Sequence, residues 1–347
     1  MTVFGTFDPS FASQKTTYGD GASVTQNLIR NNSQGTSQVT VKGVEDLGGG
    51  LKASFLIEND FDAGKDGTAA LGSLGGEQYL AIEGGLGKIA AGAANTPSLF
   101  TQSSANPFGT KIGGGFGAMN TGHVRSNNSL VYSSPVYAGF TLMAAYANQT
   151  KATTASTYVA NTSAALAQGA VATGASTDIG LLYSNGPLSA GISAWTTAAN
   201  DVTSSPDAKV AGTATKNTQT NAYVSYDFGV AKIGAGYYTE KQDLTGAAQT
   251  ANTIVPATLN SQAYNVSAAI PLSANLSLLG NYAKKNDKTE WNLDRTVAAI
   301  GLKYTLSART SVYARYVNDK IDNMPTEYSK LSAQKVTTTL VGVQHNF

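Results

Sequence analysis

The stretch Lys335-Val336-Thr337-Thr338-Thr339-Leu340-Val341-Gly342-Val343-Gln344-His345-Asn346-Phe347 decides the fold. Counting back from Phe347, every second residue is His345, Val343, Val341 and Thr339. Between them fall Asn346, Gln344 and Gly342, with Leu340 as the one exception. A period of two marks a strand with one apolar and one wet face. A strand that keeps an aromatic residue in the sheet at its end is expected to close something, and here it is read as the closing strand of a barrel.

The same alternation recurs upstream. Leu51, Ala53, Phe55 and Ile57 alternate with Lys52, Ser54, Leu56 and Glu58, mostly polar. Ala231, Ile233, Ala235 and Tyr237 alternate with Lys232, Gly234 and Gly236. Ala298, Ile300, Leu302 and Tyr304 alternate with Ala299, Gly301 and Lys303, and Val312, Ala314 and Tyr316 with Ser311, Tyr313 and Arg315. In a soluble sandwich the apolar face would be the core, whereas in a membrane barrel it meets lipid and the polar face lines the lumen. Periodicity does not separate the two. The low share of charged residues (13%), aromatics near strand ends and the terminal Phe347 favour lipid.

Seven tight turn signals punctuate the chain: 46–50, 84–87, Ser134-Pro135, Asn185-Gly186-Pro187, Asp227-Phe228-Gly229, 271–275 and 306–309. Each carries the Gly, Pro, Asn or Asp that a hairpin turn needs. Long polar segments fall between them, at about 14–34, 61–75, 95–124, 150–176, 200–216, 241–260, 286–293 and 320–334. Each interval leaves room for two strands of about ten residues and one long loop. Seven short turns between eight long-loop hairpins predict sixteen antiparallel strands in one all-β domain, 1–347, with no domain boundary.

Composition excludes several classes. The absence of cysteine removes disulfide scaffolds and thiolate metal sites. Two histidines, His123 and His345, leave little for a histidine metal cluster. A net charge of +1 gives no global field to recruit nucleic acid. No run approaches 18 consecutive apolar residues, so a helical membrane span is not expected. No signal peptide is visible, and the start on Thr2-Val3-Phe4-Gly5-Thr6-Phe7 is what a mature exported protein behind an added Met1 would show.

Five motifs, in order, resemble the general porins of β-proteobacteria: Lys42-Gly43-Val44-Glu45-Asp46-Leu47-Gly48-Gly49-Gly50-Leu51-Lys52-Ala53, Asn106-Pro107-Phe108-Gly109, the run from Arg125 to Pro135, the run from Tyr304 to Ala314, and the tail from Val341 to Phe347. The resemblance runs from end to end. It implies a sixteen-stranded transmembrane β-barrel in the bacterial outer membrane, a homotrimer, with an inward-folded third loop narrowing each lumen. That loop would be about 95–124, and its run Gly113-Gly114-Gly115-Phe116-Gly117 lets the backbone bend tightly.

Departures from the family pattern are specific. Positions 38, 76 and 93 usually carry arginine there, as part of a basic ladder favouring anions, and here they are Gln38, Gly76 and Ala93. Gln38 shares parity with Thr40 and Lys42 and is expected in the lumen, while parity leaves Gly76 and Ala93 open. Between Asn95 and Val124 the only full charge is Lys111. The transverse field is therefore expected to be weak.

Alternation places Lys42, Lys52, Glu58, Lys232, Lys303 and Arg315 in the lumen, and the resemblance adds Arg125. They either set the potential along the pore or are hydrated wall residues away from its narrowest point. Glu58 with Lys52 or Lys42 is also open to reading as a wall ion pair of little net value. Asp60, Asp62, Lys65 and Asp66 either hold a neighbouring subunit or form a solvated loop. Tyr237, Tyr238, Tyr304 and Tyr316 suit aromatic girdles. The glycine run lacks a Walker lysine and a following helix. Neither a Ser/His/Asp set nor paired carboxylates on one face can be assembled, so an enzyme is not expected, nor a cofactor. The expectation is a passive, water-filled channel for small hydrophilic solutes and ions, surrounded by outer-membrane lipid, with weakened anion selectivity. A solute-specific porin is the nearer rival. A non-conducting adhesin or structural barrel, acting through 151–176 and 241–260, is the more distant one.

Overall fold

The computed structural model describes residues 1–62, 64, 75–115, 124–151, 173–197, 200–202, 212–245, 258–289, 292–323 and 333–347. Nineteen strand segments pair antiparallel into one sheet that closes on itself. β1 (Thr2–Phe7) and β2 (Pro9–Tyr18) form one strand bent at Asp8, and β3 (Ser23–Asn31) and β4 (Gln38–Gly48) form its neighbour. β5 (Leu51–Asp60), β6 (Gln78–Gly84), β7 (Gly87–Ala93), β8 (Ser129–Ser133), β9 (Phe140–Lys151) and β10 (Thr173–Asn185) follow. β11 (Leu188–Thr197) continues as β12 (Asn200–Val202), both pairing with β13 (Gly212–Asp227). β14 (Lys232–Thr245), β15 (Thr258–Pro271), β16 (Leu276–Asp287), β17 (Arg295–Thr305), β18 (Thr310–Ile321) and β19 (Ala333–Asn346) complete the ring. With those three pairs each counted as one strand, the nineteen segments make a closed sixteen-stranded antiparallel barrel.

Closure runs through the last strand. β19 pairs with β18 on one side and β2 on the other. Phe347 adds two backbone bonds, accepting from Gly5 N (3.1 Å) and donating to Gly5 O (3.0 Å). Every strand edge is thereby satisfied, which a sheet in lipid requires. Among the described residues no helix is long and apolar enough to cross a membrane; the strands do so.

The two faces follow the alternation. On β17, Ile300 is 54% exposed while its neighbour Ala299 is 9% exposed. Leu80, Ile82, Ile179, Ile192 and Val341 stand out from the barrel in the same way. Asn221, Asn265 and Asn281 turn inward and are buried. A face of exposed Ile, Leu and Val around a polar interior is a soluble core inverted, as a lipid-facing barrel demands. Leu340, the one break in the pattern of the last strand, turns inward and packs with Ala12 and Tyr313.

All seven tight turns fall between strands, at the expected places. The first long segment does not. Residues 14–34 were expected as a loop, yet β2 and β3 run through most of it, joined by a tight turn at Gly21 (φ +84°). Polar residues fall on both faces of these strands, with Gln14, Thr16 and Gln26 inward against Ser13, Lys15 and Thr25 outward. A pattern of polar against polar leaves no contrast to mark a strand. Tyr238 is a second correction. Tyr237, Tyr304 and Tyr316 face outward, but Tyr238 is buried inside and donates to Asn265 Oδ1 (2.8 Å), so it belongs to no girdle.

Candidate functional site: a constriction inside the barrel

Residues 95–115 leave the wall between β7 and β8 and run along its polar inner face. Their neck is closed on itself: Thr96 N donates to Val124 O (3.1 Å), and Arg125 Nη1 to Asn95 Oδ1 (3.0 Å). A short helix, α1 (Pro97–Ser103), follows, with Thr96 as N-cap and Pro97 in its first turn. Proline is tolerated there because its missing N–H would have no partner inside the helix.

The helix is held by polar bonds rather than by grease. Ser98 donates to Asp178 through both its N–H and its hydroxyl (2.9 Å each). Thr101 Oγ1 lies 2.6 Å from Ser193 Oγ, and Gln102 Nε2 donates to Asn221 Oδ1 (3.0 Å). Asp178, Ser193 and Asn221 sit on β10, β11 and β13 at adjacent inward positions. Gly180 gives the helix room, since a Cβ there would lie 2.6 Å from Pro97 Cβ.

Beyond the helix the segment reaches the opposite strands. Ala105 O accepts from Ser267 Oγ (2.8 Å) and Asn265 Nδ2 (3.3 Å). Phe108, 2% exposed, enters an apolar patch made by Leu279, Val297, Ala299 and Val317 on an otherwise polar wall. Asn281 Nδ2 donates to Gly113 O (2.9 Å). Contacts running from β10 to β18 along one segment make it a chord across the closed ring.

A second inward feature arises where β3 gives way to β4. Residues 32–37 interrupt that strand and are gathered by Asp8, which is fully buried. Its carboxylate accepts from Gln34 N (2.6 Å), Gly35 N (2.8 Å) and the Tyr313 hydroxyl. Ser37 Oγ accepts from Asp8 N (2.9 Å).

The expected lumen residues sort into two groups. Gln38, Glu58, Lys111, Arg125 and Arg315 gather around the chord. Gln38 Nε2 donates to Glu58 Oε2 (2.7 Å), and Glu58 Oε1 accepts from Glu77 N (3.3 Å). Asn95 N donates to Glu77 Oε1 (2.8 Å). Burial pushes the Glu77 carboxyl up from its ordinary value, and burial likewise pulls the Lys111 ammonium down. Lys52, Lys232 and Lys303 also face inward, but they stand close to the short turns, and Lys42 lies on the same face opposite Leu56. Lys52, Lys232 and Lys303 therefore belong to the wall near the short turns. Gly76 and Ala93 are settled by register. Ala93 pairs with Gln78, and Gly76 shares that parity, on the face that carries Leu80 and Ile82 outward. A Cβ at Gly76 would also lie 2.3 Å from Glu58 O. Of the three departures only Gln38 faces the lumen.

Asp8, Asp178, Glu77, Phe108 and Tyr313 escaped the sequence reading as site residues. An acid at an inward position of a strand, such as Asp178 between Ser176 and Gly180, was the available signal. His123, Lys65, Asp66, Phe116 and Gly117, with most of 151–176 and 241–260, lie outside the described residues.

Residues 1–323 match the family model described as Gram-negative porin. The chain is 29% identical to outer membrane porin protein 32 of Delftia acidovorans over 329 residues, covering 90% of this chain and 82% of that one. It is 26% identical to an outer membrane porin protein of Bordetella pertussis over 347 residues, covering 91% and 84%. Among solved structures, the anion-selective porin from Comamonas acidovorans superposes with a TM-score of 0.77 at 22% identity, covering 100% of this chain and 99% of that one.

Proposed function

Because the chain belongs to the Gram-negative porin family, a non-enzymatic family of the bacterial outer membrane, we propose that it is a general diffusion porin whose anion preference is weak. Solutes pass through water, the chord limits their size, and wall charges bias their sign. The observation that carries the weak preference is the mixture of charges around the chord. Glu58, Asp60 and Glu77 stand with Lys111 and Arg125, and Gln38 offers a neutral amide bonded to Glu58. Arg315 is 4% exposed, its guanidinium bonded to backbone carbonyls and turned from the water. Anion selectivity belongs to the name of the Comamonas protein; among the described residues of this chain the positive charges around the chord stand beside carboxylates.

Reversal potentials across a bilayer with a salt gradient test this reading. The wild-type protein should show a small potential, and Gln38→Arg should move it toward anions by adding a charge within reach of Glu58. A strongly anionic wild type would remove the weak-preference reading. An absence of conductance steps would remove the channel itself.

We also propose a homotrimer. Ser13, Lys15, Thr25, Asn27, Thr337 and Thr339 face outward on β2, β3 and β19, where lipid would penalise polar side chains. A neighbouring subunit in place of lipid relieves that cost. Chemical cross-linking in native membranes should give trimers, and monomers alone would contradict it.

A further inference from the structure

The ladder runs up to both ends of the interruption at 32–37, through Asn32 N to Asp8 O (3.2 Å) and Phe61 N to Ser37 O (2.9 Å), and residues 33–36 between them pair with neither neighbouring strand. Their atoms instead reach the chord. Arg315 Nη1 donates to Ser33 O on the interruption and to Ile112 O on the chord (3.0 Å for the latter). Arg315 Nη2 donates to Gln34 Oε1 (3.4 Å). The guanidinium lies over the Phe108 ring at 4.7 Å and the Tyr313 ring at 5.3 Å, so both segments and the wall hold one cation. A second link joins the same two segments, from Lys111 Nζ to Thr36 Oγ1. Gly301 makes the arrangement possible, since a Cβ there would meet Arg315 Cγ at 3.1 Å and the Phe108 ring at 3.3 Å.

We propose that the 32–37 interruption is a second constriction element, locked to the chord by Arg315 as the positioning residue, so that the two together set the open cross-section. The proposal rests on the channel reading above. Arg315 then works by joining two carbonyls rather than by attracting anions. Passage is left to the side of the lumen where Glu58, Asp60, Glu77 and Arg125 stand. A planar guanidinium can hold two carbonyls and a side-chain oxygen at once.

The chain contains no cysteine, which allows a direct test. In otherwise wild-type protein, Ser33→Cys with Ile112→Cys should be joined by a short bifunctional thiol reagent with a cleavable disulfide arm and leave unit conductance unchanged, because both backbone carbonyls already sit on one Arg315 nitrogen. Arg315→Met keeps the stem but removes the donors, and should raise unit conductance about twofold and admit larger polyethylene glycols. Joining the cysteine pair with the same reagent on the R315M background should restore the wild-type value, and dithiothreitol should release it again. Lys111→Met, outside the strands, should shift conductance the same way by less, and it serves if R315M does not fold. Failure of the cysteines to join in the wild-type background overturns the proposal. So does unchanged conductance in both variants, or a raised conductance that the cross-link does not reverse. A wild-type protein without conductance steps would instead strike the channel reading on which this rests.

Discussion

Phe108→Ala should loosen residues 105–115 on the inner wall and raise unit conductance while the barrel stays folded. Phe108 is 2% exposed among Leu279, Val297, Ala299 and Val317, and its ring backs the Arg315 guanidinium. Truncating a buried phenylalanine costs about 3–5 kcal/mol, and loss of a partly desolvated cation–π contact adds about 1–2 kcal/mol. The neighbouring anchors at Ala105 O and Gly113 O are side-chain hydrogen bonds worth about 1 kcal/mol each. The ring therefore outweighs them, and without it the stretch is left to the Arg315 bond at Ile112 O and the Lys111 bond to Thr36, so it should loosen. The barrel ladder does not depend on it, because each strand bonds its own neighbours. Single-channel recording and a heat-dependent gel shift separate the two effects. Wild-type conductance with a less stable barrel would show that Phe108 serves the wall and not the chord.

Asp178→Ala is the second large effect, at the other end of the chord. It leaves the N–H of Ser98 without its acceptor inside a dry contact, which costs about 1–3 kcal/mol, while the hydroxyl keeps only the longer contact to Ser193 Oγ (3.3 Å). Asp178→Asn keeps one acceptor oxygen and should lose less. A helix of seven residues has little stability of its own, so α1 should fray. Faster hydrogen exchange at Leu99 to Thr101 and a noisier open channel are expected. Exchange as slow as in the wild type would mean that Asn221 and Ser193 hold the helix without Asp178.

Much of this was legible in the sequence because a barrel wall repeats one simple rule. The alternation along β5, β14, β17 and β18 gave the faces, and the Gly, Pro and Asn turns gave the strand count. The same parity placed Gln38, Glu58 and Arg315 inside. It failed at β2 and β3, where polar residues occupy both faces, and at Tyr238, where an aromatic turns into the lumen to meet Asn265. It also put Lys52, Lys232 and Lys303 on the inward face without saying that they stand near the short turns.

The sequence by itself determined a closed, lipid-facing barrel, since side-chain direction in a strand follows from position parity alone. Only the tertiary structure decided which inward residues meet across the lumen. Asp8 meets Tyr313 across 305 residues, Arg315 meets Ser33 across 282, and Ser98 meets Asp178 across 80. Such pairings are set by how the ring closes and by which inward residues its curvature brings opposite one another. A strand's local pattern carries no record of what lies across the lumen.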